Sequence, residues 1–139
     1  MLTQNISGSP SFSWNSKEPW NHGSWLAGAW KGGTWIDGVW HSGTWSGGEW
    51  KKGTWLGGVW ETGTWYDGVW NYGTWKGGTW VGGVWVGGGW LGGEWSNGTW
   101  NNGEWRNGDW TSGVWHGGVW HDGNWKRWAE RSVTKKKTT

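Results

Sequence analysis

The stretch Gly53-Thr54-Trp55-Leu56-Gly57-Gly58-Val59-Trp60-Glu61-Thr62-Gly63-Thr64-Trp65 carries the decisive pattern, a glycine two residues before a tryptophan, repeated every five residues. Working outward, Trp occupies every fifth position from Trp20 to Trp125 without a slip. Gly recurs at every fifth position from Gly23 to Gly123, so 21 consecutive units read x-x-Gly-x-Trp. Trp14 and Trp128 fall off this register and mark the two ends. The chain divides into a cap at 1–20, the repeat at 21–125 and a tail at 126–139.

A period of five excludes a long helix, because residues five apart lie about 500° round the axis and the indoles would wander over every face. The glycines add a cost of about 1 kcal/mol at each interior helical site relative to Ala. A long flat strand fails as well, since odd spacing sends successive Trp to opposite faces. The chain must therefore turn inside every unit. The dipeptides Asp37-Gly38, Asp67-Gly68, Asn97-Gly98, Asn102-Gly103, Asn107-Gly108 and Asp122-Gly123, with Gly-Gly at several other units, supply that chemistry and favour positive φ. In 13 of the 21 units the residue before Trp is Thr or Val, so a β-branched side chain and an aromatic sit together as a very short strand. Strand and corner alternating every five residues describe a narrow all-β solenoid whose coils stack through backbone hydrogen bonds.

The composition agrees with this. The 139 residues include 24 Trp and 31 Gly, and only 33% are hydrophobic, so the indoles must form the core. Trp35, Trp40, Trp45, Trp50, Trp55, Trp60, Trp65, Trp70, Trp75 and Trp80 are expected to be its central members. Their N–H groups need acceptors when buried, and backbone carbonyls of adjacent coils are the nearest candidates.

The units Gly33-Thr34-Trp35 and Gly63-Thr64-Trp65 resemble those of the pentapeptide-repeat family, in which a large apolar residue and a small residue two places earlier both face inward. That family favours Leu or Phe at the centre and Ala before it, where this chain has Trp and Gly. A gain in volume at one inward position is compensated by a loss at the other. The resemblance covers about 105 residues and implies a single-stranded right-handed β-helix of quadrilateral section, with four units per coil. Five coils at strand spacing would make a rod about 25 Å long. Three units per coil would make a thinner, longer one, and the periodicity alone leaves both open.

Chemistry is sparse. With no Cys, disulfides, thiolate metal sites and Cys nucleophiles are excluded. His22, His41, His116 and His121 lack metal-ligand spacing and read as solvated histidines, so no metal is expected. Gly87-Gly88-Gly89-Trp90-Leu91-Gly92 matches a dinucleotide-binding glycine pattern only because the repeat generates it, and no helix follows, so no cofactor is expected. The carboxylates Asp37, Glu49, Glu61, Asp67, Glu94, Glu104 and Asp109 are scattered over outward positions without a cleft to raise a catalytic pKa. The sequons Asn5-Ile6-Ser7 and Asn97-Gly98-Thr99 read as chance without a secretion signal.

Net charge is +2 but unevenly placed. Residues 1–125 carry six Lys or Arg against nine Asp or Glu, whereas 126–139 carry six against Glu130 alone. Lys126, Arg127, Arg131, Lys135, Lys136 and Lys137 are therefore the candidate docking residues, for a protein partner or for phosphates of a nucleic acid. At the other end, Ser9-Pro10, Phe12 and Glu18-Pro19 suit a plug over the first coil, because Pro cannot donate to a ladder. No segment approaches the ~20 apolar residues of a membrane helix, and no signal peptide is visible.

These features point to a non-enzymatic scaffold. Regular Gly/aromatic pentads resemble repeat proteins of tailed-phage particles, which implies a tail, fibre or decoration component located in a virion or the host cytoplasm, with other subunits or itself as partner. Two alternatives are a DNA-mimicking, topoisomerase-shielding protein, which needs a strongly negative rod, and a carbohydrate-binding module, which needs exposed Trp.

Overall fold

A computed structural model describes the backbone of residues 13–15 and residues 19–126 in full. The described chain is all β. Two-residue strands such as Thr54–Trp55, Val59–Trp60 and Thr64–Trp65 recur every five residues, separated by bends. All pairing between them is parallel. Trp65 pairs with Trp80, Trp70 with Trp85 and Trp75 with Trp90, a constant offset of three units.

That offset settles the cross-section. Three units close one coil, giving three sheets: the first runs from Ser24–Trp25 to Val114–Trp115, the second from Ala29–Gly32 to Val119–Trp120, and the third from Thr34–Trp35 to Asn124–Trp125. The quadrilateral expected from the family resemblance is replaced by a triangle. Seven strands in the first sheet mean seven coils, so the rod is about 34 Å long at strand spacing and not about 25 Å. The physical reason is the size of the central side chain. Successive indoles such as Trp55 and Trp60 meet edge to face at 5.9 Å with planes 70° apart, and three of them close the section. In the last rung Trp115, Trp120 and Trp125 make all three such contacts. Along the rod each indole stacks on its counterparts in the coils above and below, as Trp55 does on Trp70 at 4.6 Å and 7°. Both arrangements are the ones an aromatic quadrupole favours.

Every Trp on the five-residue spacing from Trp20 to Trp120 is fully buried, and Trp125 is partly so. Backbone bonds tie the coils together in a fixed pattern: Val69 N–H donates to Gly53 O at 3.0 Å and Asn71 N–H to Trp55 O at 2.8 Å. The residue after each Trp is thus held extended, and with Trp inward the residues on either side of it point outward.

The glycine two before each Trp has two reasons to be glycine, visible at Gly63. Its φ is +123°, a region L side chains rarely adopt, and an added Cβ would collide with Gly48 O. The same Cβ would sit 3.2 Å from Nε1 of Trp45, where the indole edge passes beneath the corner. Among the described residues only glycines have positive φ, so the Asp and Asn of the Asx-Gly corners do not share it. They contribute by accepting instead: Oδ1 of Asp37, Asp67, Asn97, Asn107 and Asp122 each takes the next glycine's N–H at 2.8–2.9 Å.

Indole N–H groups reach the neighbouring coil as expected, but not at every rung. Trp40, Trp60, Trp85, Trp95 and Trp100 donate to the carbonyl 17 residues on, at 3.0–3.1 Å. Nε1 of Trp35, Trp45, Trp50, Trp55 and Trp65 is buried without an acceptor at bonding geometry.

At the start of the chain, Ser13–Asn15 adds an eighth strand to the second sheet, Trp14 pairing with Trp30, one residue more than three units apart. The six-residue step from Trp14 to Trp20 accounts for the extra residue. The expected plug residues Pro10, Phe12 and Glu18 lie outside the described residues; Pro19 is exposed.

Candidate functional site: three unequal faces

With Trp inward, each face of the triangle presents two outward columns, the residue before Trp and the residue after it. The three-unit offset places each outward side chain of the described repeat on a face or a corner.

The second and third faces are charged. On the second, Arg106 donates to Glu104 at 2.8 Å across Trp105, and Lys76 lies 3.7 Å from Glu61 one coil below. On the third, Lys51 pairs with Glu49 at 3.4 Å and its ammonium sits 4.2 Å from the centre of the Tyr66 ring; Asn124 donates to Asp109 at 3.0 Å. Lys52 and Asp37, 4.0 Å apart, stand on the corner between the third and first faces. All these pairs are well exposed, and such pairs contribute ~0–1 kcal/mol each.

The first face differs. Its columns are Ser24, Val39, Thr54, Val69, Val84, Thr99 and Val114 before Trp, and Leu26, His41, Leu56, Asn71, Val86, Asn101 and His116 after it. No Lys, Arg, Asp or Glu stands in either column over seven coils. The corner that follows, Ala27, Ser42, Gly57, Tyr72, Gly87, Asn102 and Gly117, is equally free of them. Leu26, Leu56, Val69, Tyr72 and Val86, five of the eight large apolar side chains exposed among the described residues, belong to this face and corner.

Beside it lies an open groove of about 750 Å³ whose floor includes Gly87, Gly88, Gly89, Gly103 and Gly118, with Tyr72 and Glu104 in its lining. It exists because Gly89 takes an outward place where other units carry a side chain; a Cβ there would meet nothing within 4 Å. Tyr72, 68% exposed, stands beside it. The sequence holds a signal for this groove in Gly89, the one glycine among the residues immediately preceding Trp from Trp25 to Trp125, but only the three-unit offset brings Tyr72 next to it.

The scattered carboxylates and histidines stay scattered. Glu104 and Asp109 fall on different faces, as do His116 and His121, and among the described residues no three His, Asp or Glu approach a metal-binding arrangement. Nor is any helix long and apolar enough to cross a membrane among those residues. Of the candidate docking residues only Lys126 is described, and it is exposed at the end of the last coil. Arg127, Arg131, Lys135, Lys136 and Lys137 lie outside the described residues.

Comparison with family models, with curated proteins and with solved structures finds no match. The chain is a β-solenoid of five-residue units with a tryptophan core, similar in unit design to pentapeptide-repeat proteins.

Proposed function

We propose that this chain is a non-enzymatic structural rod, one component of a larger assembly such as a phage virion, in a tail, fibre or decoration position. The observation that carries this reading is the uniformity of the solenoid: each unit through Trp120 gives its inward place to a fully buried indole, and from Trp20 onward the coils repeat one hydrogen-bonded register. Titratable side chains are dispersed over separate outward faces, where solvation is their role. A rod of fixed section with chemically distinct faces suits packing against other subunits. The basic tail is the proposed dock for a neighbouring subunit, with nucleic acid as its other target.

The carbohydrate reading requires outward indoles, and these indoles are inside. Trp emission is therefore expected to be blue-shifted, poorly quenched by iodide and indifferent to oligosaccharides. The DNA-mimic reading requires a rod of strong negative charge, which a repeat with interleaved Lys and Glu does not provide.

The deciding experiment is mass spectrometry of intact particles or filaments purified from the source. The protein is expected in them at a stoichiometric copy number that survives washing in high salt. Recovery only in the free fraction would refute the assembly role.

A further inference from the structure

We propose that the first face is a self-association surface, on which two copies pack antiparallel about a twofold axis lying between the Val69 and Val84 rungs. This rests on the fold and not on membership of any particle.

The column before Trp on this face is self-complementary. From Val39 to Val114 it reads Val, Thr, Val, Val, Thr, Val, the same in both directions. An isologous interface demands such self-complementarity, since every contact occurs twice with the partners exchanged. With the axis between the fourth and fifth coils, Val69 meets the partner's Val84, Thr54 the partner's Thr99 and Val39 the partner's Val114.

The column after Trp is symmetric about this axis only at its ends. In the column after Trp, His41 faces the partner's His116, Leu56 the partner's Asn101 and Asn71 the partner's Val86. On the corner beyond, Tyr72 faces the partner's Gly87, so the exposed ring enters the glycine-floored groove of the other copy, a large side chain opposite an absent one. On the opposite corner the charges fall in one half only. Asp37, Lys52 and Asp67 face the partner's Ser112, Asn97 and Gly82, and no like charges confront each other.

The area suits a weak dimer. Six coils spaced ~4.8 Å apart, with a face about 15 Å wide, present roughly 430 Å² per copy. Two copies then bury roughly 900 Å², below the ~1,200 Å² of stable specific interfaces and in the range of weak, transient ones, so the dimer is expected to be weak and reversible. The packing is sheet on sheet with strands aligned, at a spacing of ~10 Å that Val and Thr fill.

Sedimentation equilibrium of the full chain, from low micromolar to millimolar concentration, tests this directly. A reversible dimer is expected. Val84→Lys, an outward change that leaves the indole core alone, should weaken it roughly 100-fold because each dimer buries two unpaired ammonium groups. Thr79→Lys, at the equivalent place on the third face, should leave it unchanged. A chain that stays monomeric throughout, or that loses association equally with both variants, overturns the proposal.

The orientation is tested separately with nitroxide labels, which the cysteine-free chain accepts at single introduced sites. Labels on Asn71→Cys should lie one rung apart along the rod, and labels on His41→Cys five rungs apart, about 24 Å. Equal separations would mean parallel packing and refute the twofold axis proposed. Either failure would leave the particle role to be decided by mass spectrometry.

Discussion

Inside the rod the residue closing each unit is Trp from Trp25 to Trp125, while one place earlier, outside, eight different residue types occur over the same span. Both positions belong to the same two-residue strands and both are tied into the ladder between coils, so the backbone does not explain the contrast. Packing does. An inward side chain must match its neighbours face to face at 4.6–5.2 Å along the column and edge to face at 5.1–5.9 Å around it. An outward one needs only to tolerate extended backbone. The interior therefore specifies the fold, and the exterior is left to distinguish one face from another.

The contrast is broken hardest from the inside. Trp65→Ala, in the central coils, should cost about 3–5 kcal/mol through its cavity and the loss of stacking on Trp50 and Trp80. Chemical denaturation would show it as a fall in midpoint. Gly63→Ala should follow at about 2–3 kcal/mol, because a Cβ at φ +123° is strained and is driven against Gly48 O, so two coils must part. A denaturation curve that barely moves for Gly63→Ala would mean that the corner relaxes freely.

Smaller effects sharpen the comparison within the core. Trp60 donates its N–H to Gly77 O at 3.1 Å, whereas Trp65 makes no such bond. Trp60→Phe should therefore cost about 1 kcal/mol more than Trp65→Phe, the worth of one net hydrogen bond less the freed carbonyl's access to water. Equal losses would show that the two indoles are bonded alike in solution. On the outside, Thr64→Ser should stay within about 0.5 kcal/mol. Smallest of all, Glu61→Gln should change the stability by about 0.5 kcal/mol or less at low salt, and not at all at high salt, because its partner Lys76 is exposed.

The unit of the fold was legible in the residues themselves. Glycine two before Trp dictated a corner, Thr or Val beside Trp dictated a strand, and the unbroken register dictated a solenoid with indoles inside. The number of units per coil was not legible, because an inward column that is Trp at every unit looks the same whether it closes after three units or four. The information sat on the outside: read at every third unit, Ser24 to Val114 and Leu26 to His116 are two runs without a charge. That regularity has no meaning until the coil is known to have three sides. Asx-Gly corners misled in one respect, since the side-chain oxygen serves the turn while glycine alone takes the positive φ.

The constant three-unit offset also governs how such a gene lengthens or shortens. Loss of a single pentad leaves every indole inward and every coil paired, so the core registers nothing. Yet everything downstream rotates by one side of the triangle, and Glu104 and Arg106 move from the second face onto the first. Insertions and deletions are therefore silent to both stability and surface only in multiples of three units; any other length folds well and presents a scrambled exterior.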